Sequence, residues 1–139
     1  MTQHYHYLLD QELHTLPAAA LEGFDVGAFE AAALARIGMP QGMAMRHRPA
    51  HFSHLFSGEG YAAAYYCYLW AEVLDADAFG AFKEAEGGVF DKEVAGRVLA
   101  WVYGAGNTVE PGEAFRRFRG RDPAIAAMLK KKGLVTATE

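Results

Sequence analysis

The sequence predicts an all-α domain of five to six helices arranged around one long central helix. Three observations carry that prediction. Segments rich in Ala, Leu and Glu space their apolar residues by three and four, Gly and Pro fall mostly between those segments, and no stretch reads as a strong strand. With 139 residues, 52% of them hydrophobic, the chain has single-domain length and enough apolar side chain for a core, so residues 1–139 read as one helical domain.

The first helix is expected over 3–16, ended by Pro17. Asp25 suits the N-cap of a second helix, with Phe29, Ala33 and Ile37 along one face and Gly38 as its stop. Residues 39–50, MPQGMAMRHRPA, show no period and read as a loop. The central helix is expected over 60–82, because only Gly80 interrupts YAAAYYCYLWAEVLDADAFGAF. Asp91 caps the next helix, which passes through Trp101 and Val102 and stops at Gly104. Pro111 fits the first turn of a short helix carrying Phe115 and Phe118. Asp122-Pro123 opens the last helix, which carries Ile125, Met128 and Leu129 and ends in Lys130, Lys131 and Lys132 before Gly133. Those lysines complement the negative end of the helix dipole and read as a solvated helix end.

Thirteen Lys and Arg against seventeen Asp and Glu give a net charge of −4, so no general basic field gathers nucleic acid or an anionic membrane. Neither is expected as a partner. The single cysteine, Cys67, closes no intramolecular disulfide, and the first twenty residues lack a signal peptide's apolar run, which fits a reducing cytoplasm. No apolar stretch approaches the ~18 residues of a membrane span.

Six histidines raise the question of zinc. His47 and His51 are four apart and His51 and His54 three apart, spacings that could bring two imidazoles together on a helix. Pro49 interrupts the first pair, His4 and His6 lie near a terminus, and there is no H-E-x-x-H and no Cys/His set of finger-like spacing. No metal site and no cofactor bound by this chain alone is expected. Cys67 as a nucleophile is disfavoured, since no base or cation beside it is evident in the sequence.

Tyr61, Tyr65 and Tyr68 stand at i, i+4 and i+7, just after a glycine-containing loop headed by His54. On a helix these three and Glu72 fall within a wedge of about 60°, and the seven residues from Tyr61 to Tyr68 span ~10 Å along the axis. One reading is an aromatic stripe that fills a core. The other is a row of hydroxyl donors: Leu69, Trp70 and Val73 already supply an apolar face, and Gly58 and Gly60 let backbone come close to an extended ligand. A neutral phenol, with a pKa near ~10, stabilises an oxyanion at neutral pH without titrating. Such donors still need an attacking water and something to activate it.

The run HFSHLFSGEGYAAAYYCYLWAEVLDADAF resembles the C-terminal region of the thimet oligopeptidase family of zinc metallopeptidases, and within it the bacterial peptidyl-dipeptidase and oligopeptidase A branch. FRRFRGRDPAIAAMLKKKGL resembles that family's C-terminal end, and LLDQELHTL the helix upstream. The resemblance implies a mostly helical, two-lobed enzyme whose channel admits short peptides. It also implies zinc held by an H-E-x-x-H helix and a later glutamate, all upstream of the matched region and absent here. Carried over by position, Tyr61 and Tyr68 become oxyanion or substrate-carbonyl donors, His54 and Tyr65 substrate contacts, and Gly58 and Gly60 the flexible loop. The chain departs from the family pattern twice. The interval of seven residues from His54 to Tyr61 is longer than in the thimet branch and matches the peptidyl-dipeptidase branch, and Ala64 stands where relatives commonly carry glycine.

Two expectations follow. In the first, the chain is the C-terminal, substrate-binding portion of a zinc oligopeptidase or peptidyl-dipeptidase, excised or encoded as a truncated product. It is then inactive alone, and zinc belongs to the complete enzyme. In the second it is a non-catalytic interaction module that self-associates through exposed apolar surface, with the tyrosine helix or residues 39–45 near the contact.

Overall fold

The computed structural model describes residues 2–135, and the side chains from residue 4 onward. Seven α-helices are present among these residues, joined by turns and short 3₁₀ segments, and no described residue lies in a strand. The all-α architecture is as the apolar spacing predicts. Two compact units divide the chain, one ending at Leu69 and the other beginning at Trp70.

In the first unit, α1 spans Thr2–His14 and α2 spans Val26–Arg36. Asp25 caps α2 as expected: its Oδ1 accepts from the amides of Gly27 at 2.8 Å and Ala28 at 3.0 Å. Gly38, at φ +74°, ends the run in the left-handed conformation that glycine adopts without a Cβ penalty. Leu9 of α1, Ala33 of α2 and Met45 of the following loop form one buried cluster. Glu30, 7% exposed, is matched by Arg48, whose Nε donates to its carboxylate at 2.9 Å. A 3₁₀ turn over Pro49–His51 leads into the short helix α3, Ser53–Phe56, and a second 3₁₀ turn covers Glu59–Tyr61. Tyr7, Leu55 and Tyr65 form the other buried cluster of this unit.

The longest helix, α4, spans Cys67–Glu84, which corrects the expectation that it begins at Gly60. Residues 62–66 form turns in place of a helix. The reason is tertiary. A helix would direct the Tyr65 amide to the Tyr61 carbonyl, but it donates instead to Asp10 Oδ2 at 3.0 Å, and the Ala63 amide donates to Asp10 Oδ1 at 3.1 Å. Ala63 itself sits at φ +54°, outside the right-handed helical region.

In the second unit, α5 spans Lys92–Val98, capped by Asp91, and continues as a π-helical turn over Leu99–Tyr103. Gly104 closes that turn through its amide to the Leu99 carbonyl at 2.7 Å, and a Cβ there would lie 2.7 Å from the same oxygen. Only glycine tolerates so close an approach of backbone. Helix α6, Pro111–Arg119, starts at the expected proline, with the Glu110 carboxylate accepting from the amides of Gly112 and Glu113. Helix α7 spans Ala126–Lys131, opening three residues later than Pro123, and the Ala124 amide ahead of it donates to Asp77 at 2.7 Å. Ala81, Val94, Phe115 and Phe118 form the core of this unit. The three lysines are not simply a solvated end: Lys131 pairs with Asp75 at 3.0 Å and Lys132 with Glu72 at 2.7 Å, tying α7 to α4.

Candidate functional site

The three tyrosines do come together, but a helix face does not gather them. Tyr61 ends a 3₁₀ turn, Tyr65 lies in the turn that follows, and Tyr68 stands in the first turn of α4. The His54 ring, from α3, stacks on Tyr61 at 4.5 Å, and Tyr61 stacks in turn on Tyr68 at 5.8 Å. Tyr65 meets all three edge-on, at 5.8 Å from His54, 5.6 Å from Tyr61 and 5.2 Å from Tyr68. Behind it, Tyr7 and Phe52 complete the packing. Edge-to-face pairs of this kind suit the ring quadrupoles and hold the cluster in register.

Burial divides the roles. Tyr65 is 8% exposed and belongs to the core, whereas Tyr61 is half-buried and His54 and Tyr68 are exposed. The core reading of the stripe holds for one tyrosine, and the donor reading stays open for the other two. The hydroxyls of Tyr61 and Tyr68 are 2.6 Å apart, a hydrogen bond in which one donates to the other. That bond holds the Tyr68 phenol protonated, its pKa pushed up to about 12, with desolvation adding to the shift. Burial pushes the Tyr65 phenol up as well, helped by the charges of Tyr61 and Cys67. Both are neutral donors at physiological pH.

Gly58 and Gly60 lie exposed in the loop before Tyr61. Gly58 is extended, and a Cβ on either residue would meet nothing within 4 Å. Any demand for glycine at these positions therefore comes from outside this chain's own atoms.

Sequence reasoning missed the residues that shape the site. Asp10, fully buried in α1, holds the amides on both sides of Ala64, and His14 Nδ1 lies 2.7 Å from its Oδ1. The next residue, Gln11, donates through Nε2 to the Ala63 carbonyl. Ala63 is thus gripped at both its amide and its carbonyl, in a conformation that costs an L-residue about 1–2 kcal/mol. The only available signal was a carboxylate next to Leu8 and Leu9 in a helix that must bury one face, where a charge survives only with hydrogen-bond partners.

Among the described residues, no group of three or more His, Cys, Asp or Glu is placed to hold a metal ion. In the first unit, His6 Nε2 lies 2.9 Å from the His47 carbonyl, while His47 stacks on Phe52. No helix of the described residues is long and apolar enough to cross a membrane.

The second unit carries two further features. Asp77, 1% exposed, receives Arg119 Nε at 3.0 Å and Arg121 at 2.6 Å to each oxygen, besides the Ala124 amide. Burial alone would raise its pKa, but these hydrogen bonds outweigh it and hold the carboxyl below the usual range. A cavity of about 870 Å³ opens beside α4, lined by Trp70, Phe79, Phe82, Trp101 and Tyr103 among others. Of these, Trp70 and Tyr103 are 58% and 76% exposed.

Residues 1–134 match the model of peptidase family M3. Oligopeptidase A of Haemophilus influenzae is 43% identical over 100 residues, covering 72% of this chain and 14% of that protein. Oligopeptidase A of Escherichia coli is 49% identical over 86 residues, covering 62% of this chain and 12% of its own length. Dipeptidyl carboxypeptidase of Escherichia coli is 36% identical over 129 residues, covering 91% of this chain and 18% of its own length. The chain therefore spans between about an eighth and a fifth of the length of these relatives. Both kinds of relative agree with the family resemblance read from the tyrosine segment, and the chain belongs to peptidase family M3.

Proposed function

We propose that this chain supplies the substrate-binding and intermediate-stabilising portion of a zinc-dependent oligopeptidase or peptidyl-dipeptidase acting on short peptides in the cytoplasm. Its own residues bind and stabilise; they do not activate water. Zinc and the general base belong to residues of the complete enzyme that these 139 do not include, so the chain is inactive alone. The observation that carries the reading is the exposed Tyr61–Tyr68 hydroxyl pair, 2.6 Å apart and backed by the His54 ring.

In a hydroxyl pair one O–H is spent on the other oxygen, and the second O–H points outward. The pair therefore presents one free donor to a substrate carbonyl, and opening it frees both for an oxyanion. His54 contacts the substrate or intermediate beside them, and Gly58 and Gly60 leave room for a peptide backbone. Neutral phenols suit this work, because they donate without competing for the charge that develops on the carbonyl oxygen.

The test is complementation. Mixing this chain with a separately produced upstream piece that carries the zinc motif should restore cleavage of a short peptide. Tyr68→Phe should then lower kcat by about 10²–10³-fold, the range for removing one oxyanion donor. Restored cleavage that Tyr68→Phe leaves unchanged would overturn the assignment.

A second reading is favoured by the large exposed apolar residues of the second unit. Phe90, Tyr103, Leu99 and Trp70 are 88%, 76%, 65% and 58% exposed. In this reading the chain is a non-catalytic, self-associating module. The contact would lie near these residues or at Met43, 40% exposed in the loop over 39–45, whereas Met45 of that loop is buried against Leu9 and Ala33.

A further inference from the structure

We infer that Asp10, with Gln11, is a positioning residue for the hydroxyl pair: by gripping Ala63 from α1 it sets the turn that returns Tyr61 to Tyr68. Three observations converge on this. Ala63 is the only non-glycine at positive φ among the described residues, and it lies between the two tyrosines in sequence. Its amide and its carbonyl are both held by neighbouring residues of one helix, through Asp10 Oδ1 and Gln11 Nε2. The second oxygen of Asp10 takes the amide of Tyr65, the residue whose ring meets His54, Tyr61 and Tyr68 edge-on.

A conformation sparsely populated by L-residues persists only where surroundings over-determine it. Here the surroundings are two neighbouring side chains of α1 whose hydrogen bonds go to the backbone of Ala63 and Tyr65. Without them, the segment's preference is helical: an Ala- and Tyr-rich run with no proline would extend α4 backward toward Gly60. That extension would move Tyr61 from the far side of a turn onto the α4 face, changing its distance to Tyr68. Asp10 thus selects the turn over the helix, and the hydroxyl pair is a consequence of that choice.

The inference rests on Tyr61 and Tyr68 being the working donors, but its test reads geometry without peptide cleavage. Failure here is therefore distinguishable from failure of complementation. The probe is NMR of the full chain with labelled tyrosines, assigned with Tyr61→Phe and Tyr68→Phe. In Asp10→Asn, one oxygen acceptor becomes a donor, and both amides cannot be satisfied. The expected result is an at least threefold loss of the inter-ring NOE between Tyr61 and Tyr68 at neutral pH. Adding Ala63→Gly, which removes the Cβ penalty at positive φ, should recover most of that NOE. A folded Asp10→Asn chain with an unchanged NOE overturns the inference. So does a loss that Ala63→Gly does not reverse, because Asp10 would then hold the core in general. Should Asp10→Asn fail to fold, Gln11→Leu removes only the grip on the Ala63 carbonyl. A weakened NOE there supports the inference, and an unchanged one overturns it.

Discussion

At the scale of single residues, the hydroxyl bond between Tyr61 and Tyr68 has a measurable signature. The Tyr68 phenol is pushed up to about 12 chiefly because Tyr61 bonds it. Replacing Tyr61 with Phe removes that partner, so the Tyr68 pKa is expected to fall from about 12 toward the ordinary value of 10.0, with desolvation keeping it somewhat above, read by site-resolved NMR of labelled tyrosine. A Tyr68 that still titrates near 12 in this variant would mean that something else holds its proton. The sign for stability follows. A phenol whose pKa is raised on folding contributes fully below the unfolded value near 10, and that contribution disappears as pH rises through the folded value. The wild-type chain should therefore lose a small increment of stability between these limits that is reduced in Tyr61→Phe.

At the scale of elements, Asp77 joins α4 to α6 and to the segment that opens α7. Its carboxylate accepts from Arg119, Arg121 and the Ala124 amide while 1% exposed. Asp77→Ala leaves Arg119, itself 10% exposed, without one of its acceptors and the Ala124 amide without any, and is expected to cost about 3 kcal/mol in denaturant unfolding. A cost under about 1 kcal/mol would show that water replaces these bonds freely. Because the folded pKa is lowered, the contribution is fully present above the unfolded value of 3.8. It is lost as pH falls through the lower folded value, so acid should narrow the gap between wild type and Asp77→Ala. The exposed pairs around Glu113, Arg116 and Arg117 contribute far less, since solvent screens them.

At the scale of the whole molecule, the apolar residues exposed in the second unit have a consequence for behaviour in solution. Exposed apolar side chains that gather into a patch find partners, and at high concentration the nearest partner is another copy. Light scattering over a concentration series should find a mass that rises above that of one chain. A strictly monomeric protein at high concentration would exclude the self-associating reading. The same residues bear on complementation: an upstream piece that docks on them should suppress self-association when mixed in equal amounts.

The sequence by itself determined the helical class, the Asp25, Asp91 and Pro111 starts, the Gly38 and Gly104 stops and the family. Apart from the family, whose resemblance runs along most of the chain, each of these is a local statement. A cap, a proline at a first turn or a glycine that ends a helix satisfies or releases backbone groups within a few residues of itself, so its evidence lies in adjacent letters. The start of α4 was not legible for the opposite reason. Residues 61–66 are helix-compatible in isolation, and what turns them aside is a carboxylate more than fifty residues away in sequence. The lysines of α7 follow the same logic, since their partners Glu72 and Asp75 lie on α4. Spacing alone grouped Tyr61, Tyr65 and Tyr68, but through a helix that does not extend to Tyr61. Only the tertiary structure decided that a turn gathers them, that Tyr65 is buried as core, and that Tyr61 and Tyr68 bond at the surface. Long-range hydrogen bonds to a buried charge outweigh local helix propensity, which is worth only tenths of a kcal/mol per residue.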